Sequence, residues 1–503
     1  MAESIKEPTI QMGPVTPKAG KRKWLLSPPS DEKSEDVAAS FLAQLDPSIA
    51  DEPVTQQEER RLLWKIDLVL IPIISATLIL GAVDKVIISN AAIYGVGNDY
   101  SWVGSIFYFG YLLFEFPAAY LVQRLPVAKF LVFTVFGWAV LMLCTATTQS
   151  FAALAACRFL MGMMEVPVFP ISAIVTAMWW KRSEQPIRIA FWFNQGSSIF
   201  AGIVSYGIGH THTSIHPWRL LFLVLGSFTL LWSIALFFLF PDSPMSCRYL
   251  SEREKYVCIQ RVKSNNTGVE DKRVKWYQVR ECLLDPKTWL LALFALAQNI
   301  PNGGLVTFSS IIVTGLGYSA LATTLLGIPT GVIATAWQLL WSFIVAKFPN
   351  GRCVTIAIMD IFTLISAVLM WKLPRDNKQG LLAAYYSFYS YWGPYVLATS
   401  IPMANSSGHS KKLTINAVFF LSYCIGNLIG PQVFQSSDAP DYSHGYRGLV
   451  ACIVVAMAAI VGYGHLCHRE NKRRDALGAV VDSESEAFSD LTDREKASFR
   501  YVF

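Results

Sequence analysis

Apolar residues along this chain fall in long blocks separated by short polar turns. A block of about 20 apolar residues is long enough to cross a bilayer as a helix. Twelve such blocks are marked, at roughly 62–84, 101–122, 128–147, 151–180, 187–210, 219–241, 288–313, 320–346, 353–373, 380–404, 413–436 and 446–467. Pro117, Pro167, Pro170, Pro329 and Pro394 fall inside them. Neighbouring helices in a membrane bundle satisfy the carbonyls that proline frees, so these positions do not interrupt the pattern. The pattern predicts an all-α membrane protein with twelve transmembrane helices in two six-helix bundles.

The division into bundles comes from one long polar stretch. A charged linker at 242–287 separates six blocks from six, giving bundles at 61–241 and 288–468 flanked by tails at 1–60 and 469–503. A basic turn follows block two (VQRLPVAK) and again block eight (AKFPNGR), a faint echo of duplication. Two packed bundles with a site between them near the bilayer midplane is a transporter plan. No GxxxxGK[ST] phosphate loop occurs, so the expected energy source is an ion gradient rather than ATP.

Composition agrees. Of 503 residues, 53% are hydrophobic and 16% charged, against about a quarter charged in soluble domains, and mean hydropathy is +0.38. The 15 Trp, 20 Tyr and 31 Phe suit a protein that meets two lipid interfaces. The first sixty residues are polar, without the apolar core of a cleavable signal, and read as a disordered tail. The nine cysteines show no metal-ligand spacing. HTHTSIH (His210, His212, His216) has neither Cys nor acid beside it, so no metal site is expected.

Lysine and arginine in short loops set orientation. The turns after blocks two, four, eight and ten hold nine: Arg124, Lys129, Lys181, Arg182, Arg188, Lys347, Arg352, Lys411 and Lys412. The turns on the other side hold five: Arg219, Lys372, Arg375, Lys378 and Arg447. The linker adds ten to the first side. Both termini are therefore expected in the cytosol, where the two sequons Asn265-Asn266-Thr267 and Asn405-Ser406-Ser407 would go unused. The serines of SEDVAAS and DSESEAFSDL read as control regions or as solvated ends.

Block four, CRFLMGMMEVPVFP, carries Arg158 and Glu165. Seven residues is nearly two helical turns, so both share one face about 10 Å apart along the axis. An ionised residue at bilayer centre costs at least ~2.5–3.5 kcal/mol. Such a face either lines a watery cavity or meets partners on other helices. Arginine there offers a fork that suits a carboxylate, and a glutamate in a low-dielectric site can carry a proton. Asp84 and Lys85 end block one; they flank a cavity or form an interfacial salt bridge. Glu115 in block two reads as packing against a neighbouring helix.

Uncharged polar residues cluster as well. FWFNQGSS puts Asn194 and Gln195 at mid-helix depth in block five. AQNIPNGG in block seven, with Gln298, Asn299 and Asn302, reads as a broken helix whose free backbone groups could line a site. Blocks ten and eleven add Tyr385, Tyr389, Tyr391, Trp392, Asn416, Tyr423 and Asn427. Such a lining suits an amide-bearing ligand, and interhelical bonding explains each residue equally well.

Taken in order, RFLMGMMEVPVFP, WWKRSEQPIRIAFWF, SYGIGH, FPDSPMSCRYLSEREK, LLDPKTWLLALFALAQNIPNGG, NSSGHSKKLTINAVFFLSYCIGNLIGPQVF, DAPDYSHGY and LTDREKASFRYVF resemble the anion:cation symporter family of the major facilitator superfamily. The likeness covers roughly 58–503 and is strongest to the fungal allantoate permease branch. It implies the major facilitator fold, no enzyme activity, and uptake of small organic anions with protons across the fungal plasma membrane. Family substrates include allantoate, ureidosuccinate, nicotinate, pantothenate, biotin and some dipeptides. By the pattern of the bacterial sugar-acid symporters, Asp84 and Glu165 would bind protons, while Lys85 and Arg158 would hold the anion or reset the acids. Those symporters have Arg where Lys85 stands, and a point charge there replaces a bidentate fork. The superfamily's acid between helices two and three is Gln123 here, beside the retained Arg124 and Lys129.

The resulting expectation is a proton-coupled importer of a small carboxylate. Substrate would be held by Lys85, Arg158, Asn194, Gln195, Gln298, Asn299, Tyr389 and Asn427, with the proton on Asp84 and Glu165. The proton is the coupling ion and no cofactor is expected. The partners are a small organic anion and the lipid bilayer, without nucleic acid, and the chain acts as a monomer. An exporter of an acidic secondary metabolite and a transport-dead nutrient sensor are the alternatives.

Overall fold

The computed structural model describes residues 53–94, 100–181, 184–211, 213–263, 275–348, 351–434, 442–476, 491–496 and 499–503. Arg182, His212, Asn265, Asn266, the SEDVAAS stretch and nearly all of DSESEAFSDL lie outside these residues, as does the side chain of Gln123. The described residues are helical, without strands. The first set is α1 Gln56–Ile93, α2 Tyr100–Arg124, α3 Val127–Thr147, α4 Phe151–Glu165, α5 Val168–Trp179, α6 Gln185–Trp192, α7 Ser197–Gly209 and α8 Pro217–Leu239. The linker carries α9 Glu252–Lys263 and α10 Trp276–Leu283. The second set is α11 Pro286–Gly315, α12 Ala320–Leu326, α13 Ile328–Lys347, α14 Arg352–Lys372, α15 Lys378–Phe388, a 3-10 turn Tyr389–Tyr391, α16 Trp392–Ala398, α17 Ser400–Ala404, α18 His409–Val433 and α19 Ser443–Ala476.

Local chemistry fixes several ends. Thr55 and Glu58 form a reciprocal capping box at the start of α1: the Glu58 amide donates to Thr55 Oγ1 at 3.2 Å and the Thr55 amide to Glu58 Oε2 at 3.1 Å. Asp285 caps α11 by accepting from the Lys287 amide at 3.0 Å, with Pro286 at the first helical position. Ten helical stretches among the described residues are long and apolar enough to cross a membrane, and they coincide with ten of the twelve predicted blocks. Blocks four and eight do so as two consecutive helices each, α4 with α5 and α12 with α13, while blocks five and ten fall outside the ten. Block five divides into α6 and α7 around Phe193–Gly196, and block ten into α15, the 3-10 turn, α16 and α17. Large apolar side chains such as Leu113, Phe133, Phe237 and Phe238 face outward, as lipid contact requires.

One expectation is corrected. Block seven is not a broken helix: α11 runs unbroken through Pro301. Its glycines serve close packing instead. A Cβ on Gly303 would lie 2.5 Å from the Asn427 carbonyl oxygen, and one on Gly430 of α18 would lie 2.4 Å from the Ile300 carbonyl oxygen. Residues 491–496 and 499–503 dock against the helices. Asp493 is 1% exposed, and Tyr501 donates to its carboxylate at 2.6 Å. Lys411 Nζ stands 2.7 Å from Asp493 and 2.8 Å from Glu281 of α10. Arg474 donates to the carbonyls of Asp493 and Phe499, and Asn405 bonds both the amide and the carbonyl of Val502. The last residues thus clamp α10, α18 and α19 together. Burial alone would raise the Asp493 carboxyl, but the Lys411 charge and the bonds from Lys411 and Tyr501 hold it below its ordinary value.

Candidate functional site

Asp84 and Lys85 lie in the last third of α1, Arg158 midway along α4, and Glu165 at its end. Adjacent helix positions point about 100° apart, so Asp84 and Lys85 reach α4 at two levels. Arg158 Nη1 donates to both Asp84 oxygens at 3.1 and 3.0 Å. Lys85 Nζ donates to Glu165 Oε1 at 2.6 Å. Each helix thus gives one acid and one base to a crossed quartet.

Sequence features fix this geometry. Pro167 and Pro170 cannot donate to the carbonyls one turn back, so α4 ends at Glu165 and α5 restarts beyond it. A Cβ on Gly162 would fall 2.1 Å from the Phe107 carbonyl oxygen, and one on Gly110 2.0 Å from the Phe159 carbonyl oxygen. These two glycines let α2 and α4 touch backbone to backbone. The Phe107 ring then lies 4.9 Å from the Arg158 guanidinium carbon and 5.4 Å from Lys85 Nζ, where its face attracts both cations.

Asp84 is 0% and Arg158 2% exposed, while the Lys85 side chain keeps 18% exposure. Of the two arrangements open to these charges, a watery cavity or partners on other helices, this conformation shows the partners. Asp84 and Arg158 are buried, and their mutual neutralisation offsets part of the cost of holding two charges in a low-dielectric interior. Arg158 Nε and Glu165 Oε2 are buried without partners, so each pair keeps unused bonding capacity. Glu115 Oε2 is also buried without a partner.

A cavity lies beside the quartet, between the two helix sets. Asn90 of α1, Gln195 in the α6–α7 break, Ser309 of α11, Thr330 of α13, and Tyr389 and Tyr391 of the 3-10 turn line it. The four charged residues do not line it, although Val86, next to Lys85, does. Around it the sets are stitched together. Ser89 and Ser309 hydroxyls lie 2.9 Å apart, Ser310 donates to Asn90 Oδ1 at 2.7 Å, Ser105 donates to the Leu428 carbonyl at 2.8 Å, and the Gln195 amide donates to Thr335 at 3.2 Å.

The remaining predicted residues bond to the protein's own backbone and side chains, some within one helix and some between helices. Asn194 braces the α6–α7 break, accepting from the Gly196 amide and donating to the Phe191 carbonyl, both at 2.8 Å. Gln298 donates to the Tyr391 carbonyl at 2.8 Å. Asn299 donates to the Ala295 carbonyl at 2.7 Å. Asn427 accepts from Asn302 at 2.7 Å, and Tyr391 donates to Asn302 at 2.6 Å. Tyr389 and Tyr385 hydroxyls lie 3.2 Å apart. Sequence reasoning missed Asp360, a lone acid in TIAIMDIFTL that is 0% exposed on α14. The rule that picked out Arg158 and Glu165, a charge at bilayer depth, applies to it equally.

The sequence pattern of the Major Facilitator Superfamily matches residues 69–431. The chain belongs to this superfamily. It is 36% identical to the MFS-type transporter cnsL of Penicillium expansum, over 93% of each chain. It is 35% identical to the allantoate permease of Saccharomyces cerevisiae, over 89% of this chain and 87% of the permease. Its fold is similar to that of a solved D-xylose–proton symporter, with a TM-score of 0.58 at 13% identity, over 78% of this chain and 97% of the symporter. The protein is thus a multi-pass membrane transporter of the secondary type rather than an enzyme. Within this superfamily member, α1 and α4 hold the charge quartet in the first helix set, while the cavity is walled by both sets.

Proposed function

We propose that this transporter imports a small organic anion together with a proton by alternating access. The observation that carries the reading is the crossed quartet of Asp84, Lys85, Arg158 and Glu165. Two acids and two bases neutralise one another when the site is empty. A proton on Glu165 frees Lys85, and a substrate carboxylate can then take the released cation. Arg158 offers the fork that holds the carboxylate once Asp84 lets go. Proton and anion cross together with little net charge, which lowers the cost of passage through low dielectric. A membrane potential adds about 2.3 kcal/mol per charge per 100 mV whenever a net charge moves.

The same reading assigns twelve spans in two six-helix halves, 61–241 and 288–468, joined by the 242–287 linker. The chain works as a monomer in the plasma membrane with both termini in the cytosol. Gln195 and Tyr389 face the substrate from the cavity wall, and Asn194, Gln298, Asn299 and Asn427 hold that wall in shape. The likeness to an allantoate permease supports a carboxylate bearing amide groups as cargo, and allantoate, ureidosuccinate, nicotinate and pantothenate are the compounds to try first.

The test is uptake of these labelled acids by yeast lacking its own carriers, measured across external pH. Wild type should accumulate one of them faster at acid pH. Glu165→Gln should lose the pH dependence and Arg158→Ala should lose uptake. Full proton-driven accumulation by Glu165→Gln, or depletion of the acid from loaded cells, would overturn the reading.

A further inference from the structure

The break between α6 and α7 leaves two polar side chains over. Ending α6 at Trp192 frees the Phe193 carbonyl, and α13 of the other set takes it: Gln338 Nε2 donates there at 3.0 Å. The Gln195 backbone amide goes to Thr335 of the same helix at 3.2 Å. A Cβ on Gly331 would lie 2.5 Å from the Gln195 carbonyl oxygen and 3.2 Å from Ser198 Cβ, so α13 packs directly on the break and fixes its position. The side chains of Gln195 and Ser198 both line the cavity, and among the described residues neither has a hydrogen-bond partner. Ser197, between them, keeps a buried hydroxyl without a partner as well.

Every other polar side chain in the wall bonds the protein itself. Asn90 donates to Ser205 at 2.8 Å, Thr330 to the Gly327 carbonyl at 2.6 Å and Tyr391 to Asn302 at 2.6 Å. Ser309, Ser310 and Tyr389 bond Ser89, Asn90 and Tyr385. Thr323 and Thr324 bond Thr314 and the Leu321 carbonyl. The wall is also uncharged: no Lys, Arg, His, Asp or Glu lines it among the described residues. Lys85 stands at the same depth outside it, one residue and about 1.5 Å along the α1 axis from Val86, which does line it.

An unpartnered carboxamide presents a donor and an acceptor side by side. A second carboxamide, or a ureido group, meets both at once: its carbonyl accepts from Gln195 Nε2 and its N–H donates to Gln195 Oε1. A ligand hydroxyl meets only one of them. A carboxylate sets its oxygens against Oε1 and enters a wall without a cation, where an unpaired charge is costly. The Ser198 hydroxyl donates or accepts as the ligand requires.

We propose that this cavity is the subsite for the uncharged end of the cargo, a carboxamide or ureido group held by Gln195 and Ser198, and that it restricts the transporter to acids with a single carboxylate. The anchoring of that carboxylate at Lys85 rests on the import reading above; the preference of the cavity does not. Among the acids to try first, allantoate has one carboxylate and ureido ends, whereas ureidosuccinate brings a second carboxylate and is rejected.

The probes are matched series: succinate, glutarate and adipate, the monoamide of each, and the parent monoacids butyrate, valerate and hexanoate. Binding to the purified full chain in detergent is measured by calorimetry at neutral pH, without a proton gradient. The monoamide that fits best should bind roughly a hundredfold tighter than the diacid of its length, since the diacid leaves a charge unpaired. Gln195→Leu should bring that monoamide down to the level of its monoacid. The same variant should keep the wild-type thermal midpoint, because the Gln195 side chain bonds nothing in the protein. Gln195→Lys should reverse the order and favour the diacid. The proposal is overturned if no monoamide binds tighter than its diacid, or if both substitutions leave the order unchanged. A monoamide preference alongside uptake indifferent to pH would sink the proton-coupled reading and leave this subsite standing. Proton-driven uptake of diacids as fast as of their monoamides would do the reverse.

Discussion

Asp84 meets Arg158 through a single guanidinium nitrogen, Nη1, which lies 3.1 and 3.0 Å from the two carboxylate oxygens while Nε stays unpartnered. The pair is end-on rather than a full fork, and it is sealed from solvent. Breaking a buried pair from one side leaves a charge without compensation, at about 3–5 kcal/mol. Arg158→Ala should therefore lower the thermal midpoint of the purified protein as well as abolish transport. Asp84→Asn combined with Arg158→Gln should recover much of the midpoint and none of the transport. Thermal unfolding in detergent, read beside uptake, separates the two effects.

Lys85 engages only Oε1 of Glu165 and leaves Oε2 buried and unpartnered. A guanidinium at position 85 has the geometry to hold both oxygens. A further hydrogen bond to a charged group contributes about 1.5–3 kcal/mol. Lys85→Arg should raise the thermal midpoint and slow uptake, since the pair must open in each cycle. An unchanged midpoint with unchanged rate would show that the lysine already saturates the acid.

Much of this architecture could be read from the chain. Ten of the predicted blocks became helices long enough to span a membrane, because apolar length is a local property that needs no partner to detect. Arg158 and Glu165 were visible for the same reason. Their partners were not: the crossing of Asp84 to Arg158 and Lys85 to Glu165 depends on how α1 turns against α4, which one helix's spacing cannot give. Gly303 and Gly304 misled, since a glycine that opens a helix and one that admits a neighbouring backbone look alike in sequence. The docked tail was hidden by composition, because LTDREKASFRYVF is polar and its burial depends on Lys411 and Arg474, which are distant in the chain.

Gly162 decides how closely α4 approaches α2. A methyl group there would meet the Phe107 carbonyl at 2.1 Å, backbone that cannot turn aside. Gly162→Ala should separate the two helices and draw Arg158 away from the Phe107 ring. Overpacking of this kind costs about 1–3 kcal/mol. Uptake should fall further than stability does, because the quartet is displaced while its charges remain. Wild-type transport by this variant would show that the helices open without harm.

Asp493 gives the tail a dependence on pH. Its carboxyl is held below the ordinary 3.8 by Lys411 and Tyr501 despite burial. The native state therefore binds its proton less tightly than the unfolded state does. The stabilisation is complete above the ordinary value and fades as pH falls through the lower, folded value. The clamp should hold throughout the neutral range and release only in strong acid. Asp493→Asn should release it at neutral pH, because Lys411 loses one of its two close carboxylates. A protease site placed after Phe503 through a short linker, or a fluorophore there, would read release directly. A tail that remains docked in Asp493→Asn would assign the clamp to Arg474 and Asn405 instead.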